Sequence, residues 1–146
     1  MKHRIATEAD ARALAKMRWD FQFEEPHARA ATVGEEEFVT ACADFLAEGF
    51  RTGAWVCWLA ERDGEIVAHL YVNVIRSIPR IYALQSAWGN VRAVYTRPED
   101  RNKGFGRNLL ECAVQWAKAQ ELELRPYGRA PSASASTSAA ASLAIW

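Results

Sequence analysis

The chain has 146 residues, half of them apolar, and its 18 basic and 18 acidic side chains cancel to a formal net charge of zero. This length suits one domain with a real hydrophobic core. The balanced charge excludes the basic face of a nucleic-acid-binding protein and the composition of a disordered acidic chain, so no nucleic-acid partner is expected.

A short strand at residues 3–6 and a helix are predicted at the start of the chain. Thr7 suits the N-cap of this helix, because its hydroxyl can accept hydrogen bonds from backbone amides and acidic residues follow it. Leu14, Met17 and Phe21 recur at the helical interval of three or four residues. We therefore expect this edge of the first helix to be buried.

A loop at residues 23–34 leads to a second predicted helix, which starts near Glu35 and has three glutamates, residues 35–37, at its N-terminal end. Apolar residues then recur at intervals of three and four, which predicts the helix; they are Phe38, Val39, Cys42, Phe45, Leu46 and Phe50. Gly49 and Gly53 are predicted to mark its exit.

Strand signals dominate the middle of the chain. The runs "WVCWLAE" and "IVAHLYVNVI" are rich in β-branched and aromatic residues, and the Asp63-Gly64 pair between them is typical of a two-residue hairpin turn. Pro79 interrupts the pattern, and a further strand is predicted from about Asn90 to Thr96.

The last predicted helix follows a basic glycine turn, and a brief strand follows it at residues 122–125. One face of this helix is apolar and carries Leu109, Leu110, Ala113, Val114 and Ala117. The predicted order is therefore β, α, α, β, β, β, α, β, a mixed α/β (α+β) fold with a central sheet flanked by helices. Residues 1–127 form the predicted domain, and the Ala/Ser-rich residues 128–146 are predicted to be a disordered, low-complexity tail.

Cysteine usage and the N-terminus favour a cytoplasmic location. Cys42, Cys57 and Cys112 are odd in number and have neither disulfide nor zinc-ligand spacing. The opening "MKHRIATEADARALA" is charged where a secretory signal needs an apolar core, and no apolar run approaches the ~20 residues that span a bilayer. We expect no metal site and no membrane partner.

The segment "RPEDRNKGFGRNLLECAVQWAK", residues 97–118, carries the main functional signal. A phosphate or pyrophosphate site is predicted here, because the glycines let backbone amides converge on an anion at a helix start. Three basic residues flank this turn: Arg101, Lys103 and Arg107. A Walker A loop is excluded because Arg107 follows Gly106, and the dinucleotide fingerprint is disfavoured because Leu109 stands where its third glycine belongs. A turn that binds nothing remains the alternative.

The order of elements around this segment resembles the GNAT superfamily of N-acetyltransferases, over about Arg4 to Arg125. The acetyl-CoA motif of that family is Arg/Gln-x-x-Gly-x-Gly/Ala, which is matched here from Arg101 to Gly106. The resemblance implies a GNAT-like, mostly antiparallel sheet and direct transfer of an acetyl group from acetyl-CoA to a primary amine of a small molecule or a protein. It is compatible with a homodimer.

The resemblance also implies a set of site residues. The backbone of Val94, Tyr95 and Thr96 would bind the pantetheine arm and the thioester carbonyl. The loop amides would bind the pyrophosphate, with the side chain of Phe105 pointing into the core; these are the amides of Arg101, Asn102, Lys103, Gly104, Phe105, Gly106 and Arg107.

Acceptor and catalytic residues are less well defined by the resemblance. Trp19 and Glu24 are the candidates for contact with the acceptor, and no catalytic residue is assigned. Glu24, Glu25, His27 and His69 are candidate bases by residue type alone. Strand alternation favours a structural role for His69, and an ordinary surface loop is the competing interpretation for Glu24 and Glu25.

The chain departs from the family pattern after Arg125. The family continues with a helix whose tyrosine protonates the CoA thiolate and with two further strands, whereas Tyr127 comes too early and no tyrosine follows it. The fold is therefore expected to be C-terminally incomplete, and a non-catalytic or impaired CoA-binding module is the alternative function. A frameshift near codons 125–127 or a natural C-terminal end would explain the tail, and an α/β interaction domain is the third hypothesis.

Overall fold

A computed structural model describes residues 2–24 and 30–126 of the chain. Its strands are β1 (Lys2–Ile5), β2 (Trp55–Arg62), β3 (Glu65–Arg76), β4 (Ala87–Thr96) and β5 (Glu123–Pro126). Its helices are α1 (Ala11–Gln22), α2 (Glu35–Thr52) and α3 (Phe105–Ala119). The predicted tail at 128–146, Tyr127 and the candidate bases Glu25 and His27 lie outside the described residues.

The five strands form one sheet in chain order, β1-β2-β3-β4-β5. β1 to β4 are antiparallel neighbours, and β5 runs parallel to β4. The predicted order of elements and the mixed, mostly antiparallel fold are thus confirmed. The β2–β3 hairpin turns at Asp63 and Gly64, whose φ angles of 54° and 80° are those that a two-residue primed turn requires.

Helices cover both faces of the sheet. α1 and α2 pack with Tyr71 on one face, and α3 packs with Leu70 on the other, as alternation along β3 requires. The predicted faces are confirmed: Leu14 and Leu109 are fully buried, and Phe21 packs half-buried against the α1 side of the core.

The prediction that Gly49 marks the exit of α2 is wrong, because the helix continues to Thr52. A Cβ on Gly49 would lie 2.8 Å from Cδ1 of Trp55, so glycine here lets α2 approach β2 closely. Gly53 does end the helix, with a φ of 77°. Phe45, from the apolar series of this helix, is 57% exposed and packs edge-on against Trp55.

Gly49→Ala is expected to lower the free energy of unfolding by about 1–3 kcal/mol, because α2 must move away from Trp55. Urea unfolding measures the change. In a Trp55→Ala background the same substitution should destabilise the protein less, because Cδ1 and Cγ of residue 55 are gone and only its Cβ, at 3.0 Å, remains close. Equal destabilisation in both backgrounds would contradict the packing explanation.

Candidate functional site

The chain between β4 and α3 forms a tight, glycine-dependent loop. A 3₁₀ turn at Pro98–Asp100 follows β4, and the backbone then takes positive φ at Asn102 (63°) and Gly104 (82°). Asparagine tolerates this conformation better than most residues and glycine adopts it without strain. The loop conformation therefore explains the residue types at these two positions.

The start of α3 presents a row of backbone donors. The N–H of Asn108 donates to the carbonyl of Gly104 at 3.1 Å, the first hydrogen bond of the helix. The amides of Phe105, Gly106 and Arg107 consequently have no acceptor within the helix. They lie at the positive end of the α3 dipole, which makes this turn suited to an anion.

Gly106 is not required by the packing of the protein itself. It is a helical residue of α3, and a Cβ there would make only an ordinary contact, 3.8 Å from Cγ1 of Val94. Glycine inside a helix costs about 0.5–1 kcal/mol relative to alanine. Glycine at such a position is typical of backbone that a ligand approaches closely.

Two buried side chains hold the loop on the sheet. Phe105 is 2% exposed, which confirms its predicted inward orientation, and Leu109 is fully buried one turn further along α3. Both belong to the core cluster that includes Leu70 and Val91 of the central strands. The donor row is therefore fixed relative to β4.

Two basic side chains of the loop have carboxylate partners. The guanidinium of Arg101 donates to Oε2 of Glu24 at 2.6 Å and to the carbonyl of Thr96 at 3.0 Å. Nζ of Lys103 lies 3.2 Å from Oδ1 of Asp100. The cationic character expected of this loop is thus partly neutralised within the protein.

Asp100 anchors the loop to the end of β2. Its carboxylate is fully buried, accepts a hydrogen bond from Nη2 of Arg62 at 3.2 Å and forms an ion pair with Nη1 of the same side chain at 2.9 Å. By contrast, Arg107 and Glu111 form an exposed pair at 3.5 Å, which contributes little. Asp100 is therefore a structural residue of the loop, one that the sequence reasoning did not single out.

β4 carries a β-bulge beside the loop. Val94 stands opposite Leu70 but Val91 stands opposite Val72, so β4 has one extra residue between these pairs. Bulges bend a strand and are frequent next to active sites. β5 pairs with β4 only along residues 88–91. Among the described residues, the edge of β4 at 94–96 that faces away from β3 therefore has no strand partner.

A cleft of about 170 Å³ opens between the end of α1 and the chain that follows β4. Its lining residues are Met17, Asp20, Glu24, Tyr95, Arg97, Pro98 and Glu99. The lining contains three carboxylates and one guanidinium, but Asp20 is paired with Lys16 at 2.9 Å and Glu24 with Arg101 at 2.6 Å, so a cationic ligand would have to compete for these two carboxylates. Trp19 is not among these residues; it packs against Phe23 and Phe38, with ring centroids 4.8 and 5.6 Å away.

Tyr95 joins the cleft to the core. Its hydroxyl donates to Oε1 of Glu24, and its ring packs against Phe21 at 5.0 Å. Burial and then the Glu24 carboxylate raise the pKa of the phenol, so it stays protonated at neutral pH, although Arg101 opposes the shift. Alternation along β4 could have assigned this side chain to the α1 face, but no local signal identifies Glu24 as its partner.

His69 lies in the core and not in the cleft, which confirms its predicted structural role. It is 2% exposed, and its ring lies 4.8 Å from that of Tyr71 and 5.7 Å from that of Tyr95. Neither ring nitrogen has a hydrogen-bond partner of good geometry among the described residues. Burial lowers the pKa of His69 to about 4, and the ring is neutral at physiological pH.

Within residues 2–24 and 30–126, no three histidine, cysteine or acidic side chains are grouped so that they could hold a metal ion. In the same part of the chain, no helix combines the length and the hydropathy needed to cross a bilayer.

The family model described as "Acetyltransferase (GNAT) family" matches residues 12–130 of the chain. A search of curated proteins found no match to the chain. Three solved structures illustrate the similar folds. A predicted acetyltransferase from Clostridium acetobutylicum, solved with acetyl-CoA, has a TM-score of 0.63 at 18% identity, over 90% of this chain and 91% of that one.

The second is a GCN5-related N-acetyltransferase from Ralstonia eutropha, with a TM-score of 0.61 at 16% identity, over 90% of this chain and 94% of that one. The third is a ribosomal-protein-alanine N-acetyltransferase from Brucella melitensis, with a TM-score of 0.63 at 15% identity, over 99% of this chain and 89% of that one. At these identities the similarity shows a shared fold.

Proposed function

The chain belongs to the acetyltransferase (GNAT) family, and from this premise we propose that it transfers the acetyl group of acetyl-CoA to a primary amine of a small molecule or a protein. The observation that carries the proposal is the start of α3, where three backbone amides lack helical acceptors. Gly106 leaves space there that the protein itself does not use. These features suit the pyrophosphate of a CoA donor.

The donor is proposed to lie along β4 and the loop that follows it. The edge of Val94, Tyr95 and Thr96 lies just beyond the bulge and has no strand partner within residues 2–24 and 30–126, which supports binding of the pantetheine arm and the thioester carbonyl. The pyrophosphate would be held by the loop residues Arg101, Asn102, Lys103, Gly104, Phe105, Gly106 and Arg107. Free cysteines at positions 42, 57 and 112 support a reducing, cytoplasmic setting for this reaction.

The acceptor amine is proposed to enter the cleft beside Tyr95. Its acidic lining, with Asp20, Glu24 and Glu99, favours a protonated amine on arrival. The amine must lose its proton before it attacks the thioester. Backbone amides then stabilise the tetrahedral oxyanion, and CoA leaves as a thiol. Trp19, on α1, does not line this cleft and would contribute to the acceptor side only through its packing against Phe23 and Phe38.

A thiol-release assay tests the proposal. Acetyl-CoA is expected to raise the melting temperature of the protein, whereas NAD at the same concentration is not. Release of free thiol from acetyl-CoA should then depend on the amine added, across a panel of small amines and peptide N-termini. Absence of any acetyl-CoA-dependent shift would contradict donor binding, and a shift without thiol release across the panel would favour a binding module over an enzyme.

A further inference from the structure

Glu24 connects the proposed donor and acceptor sites. Its Oε2 accepts from Arg101 at 2.6 Å, and its Oε1 accepts from the hydroxyl of Tyr95. Arg101 also donates to the carbonyl of Thr96 at 3.0 Å and lies 5.8 Å from the centroid of the Tyr95 ring. The guanidinium is therefore held on the acceptor side of the loop by Glu24 and its neighbours.

The guanidinium of Arg101 also has the positive charge and the paired N–H donors that suit a pyrophosphate. A phosphate can bind arginine with two parallel hydrogen bonds, whereas Arg101 now donates one bond from Nε to the carbonyl of Thr96 and one from Nη2 to Glu24. The side chains of Arg101 and Glu24 are 47% and 30% exposed. A pair with this exposure shifts an equilibrium by at most about fivefold, so a pyrophosphate can displace the carboxylate.

Lys103 differs from Arg101 in this respect. Its carboxylate partner, Asp100, is fully buried and also binds Arg62. Asp100 cannot leave without breaking the anchor of the loop. Glu24, by contrast, lies in the turn just after α1 and lines the cleft. Arg101 and Lys103 are therefore different: the carboxylate that binds Arg101 can be replaced by a ligand, and the one that binds Lys103 cannot.

We propose that Glu24 holds Arg101 in the free protein and releases it to the donor pyrophosphate, which frees the Glu24 carboxylate to bind the ammonium group of the acceptor. This inference rests on the proposed function. Glu24 is then a specificity-determining residue for a cationic acceptor, and it couples the two sites. Because such coupling is reciprocal, an acceptor cation that binds Glu24 also makes Arg101 available and tightens donor binding.

Titration calorimetry with acetyl-CoA tests the exchange. Glu24→Gln is expected to bind acetyl-CoA about two- to fivefold more tightly than the wild type at low salt, because the competing charge is gone. For acetylpantetheine, which lacks the pyrophosphate, the two proteins should have the same affinity. In an Arg101→Gln background, Glu24→Gln should have no effect on acetyl-CoA affinity.

A matched control is available elsewhere on α1 and α2. Arg12 and Glu36 form an exposed pair with the same 2.6 Å separation as Arg101 and Glu24. Glu36→Gln should leave the affinity for acetyl-CoA unchanged. Wild-type protein that does not bind acetyl-CoA would overturn the proposed function itself. Wild-type binding with no gain in Glu24→Gln, or an equal gain with acetylpantetheine, would overturn only the exchange.

Acceptor kinetics provide the second readout. With the amine that gives the fastest thiol release, Glu24→Gln should raise the acceptor KM at least about fivefold and change kcat less. That amine should tighten acetyl-CoA binding to the wild type and leave binding to Glu24→Gln unaffected. An unchanged acceptor KM would overturn the assignment of Glu24 to the ammonium group.

Discussion

Gly106→Glu is expected to abolish acetyl-CoA binding without unfolding the protein. The added side chain has room, since the nearest atom to a Cβ at this position is Cγ1 of Val94 at 3.8 Å. It would, however, place a carboxylate beside the free amides of the first turn of α3, where the pyrophosphate is proposed to bind. Like charges brought together in a binding site cost several kcal/mol, so the loss in affinity should be at least about 100-fold.

Gly106→Ala separates the two roles of this glycine. Alanine should weaken acetyl-CoA binding by about tenfold, because its methyl group keeps the pyrophosphate from the amides. It should also raise the stability of the free protein by up to about 1 kcal/mol, because alanine favours the helix. A glycine needed for the fold would instead lose stability and binding together.

Calorimetry with acetyl-CoA and thermal unfolding without ligand give both quantities. The control is Gly34→Glu, at the N-cap of α2, where nothing lies within 4 Å of a Cβ. This variant adds the same charge at another helix start and should bind acetyl-CoA as the wild type does. Wild-type affinity in Gly106→Glu would contradict the placement of the pyrophosphate.

The features that the sequence predicted correctly are those with local signals. The Asp63-Gly64 turn requires positive φ at two adjacent residues, and few other dipeptides adopt that conformation easily. The buried face of α3 follows from helical periodicity alone. The inward orientation of Phe105 is instead implied by the family resemblance, and its 2% exposure agrees with it. Element order and core faces could therefore be predicted without knowing any tertiary contact.

The contacts that define the site join residues that are far apart in the sequence. Glu24 and Arg101 are separated by 77 positions in the chain, and Arg62 and Asp100 by 38. Composition shows that these charges exist, but only the packing of α1 and β2 against the loop decides which pairs form. A basic loop therefore looked freely available to an anion, whereas its Arg101 and Lys103 both have carboxylate partners in the structure.

Gly49 shows the same limit for an apolar contact. A glycine near the end of a helical pattern is usually its C-cap, and Gly53 fits that rule with a φ of 77°. Gly49 keeps helical geometry and makes room for Trp55. The two glycines differ only in their tertiary neighbours, which a single sequence does not report.

The free energy of unfolding is expected to fall between pH 6.5 and pH 4 because of His69. Burial lowers the pKa of its ring from the ordinary 6.5 to about 4; the Ala93 backbone opposes this shift and the charge of Arg18 adds to it. The unfolded chain therefore binds the proton first as pH falls. The contribution of His69 to the free energy of unfolding is fully present above pH 6.5. It decreases by up to about 3 kcal/mol as the pH falls to 4, and it changes no further below pH 4.

Urea unfolding at pH 7.5 and pH 4.5 measures this loss, and His69→Leu should remove most of it. Stability at pH 7.5 should change less than the pH-dependent loss, because neither ring nitrogen has a hydrogen bond of good geometry among the described residues and leucine has a similar volume. Arg4 lowers the pKa of Asp10 to about 2, so the contribution of that carboxylate disappears only below about pH 4 and does not overlap. The same pH dependence in His69→Leu as in the wild type would mean that a group other than His69 takes up the proton.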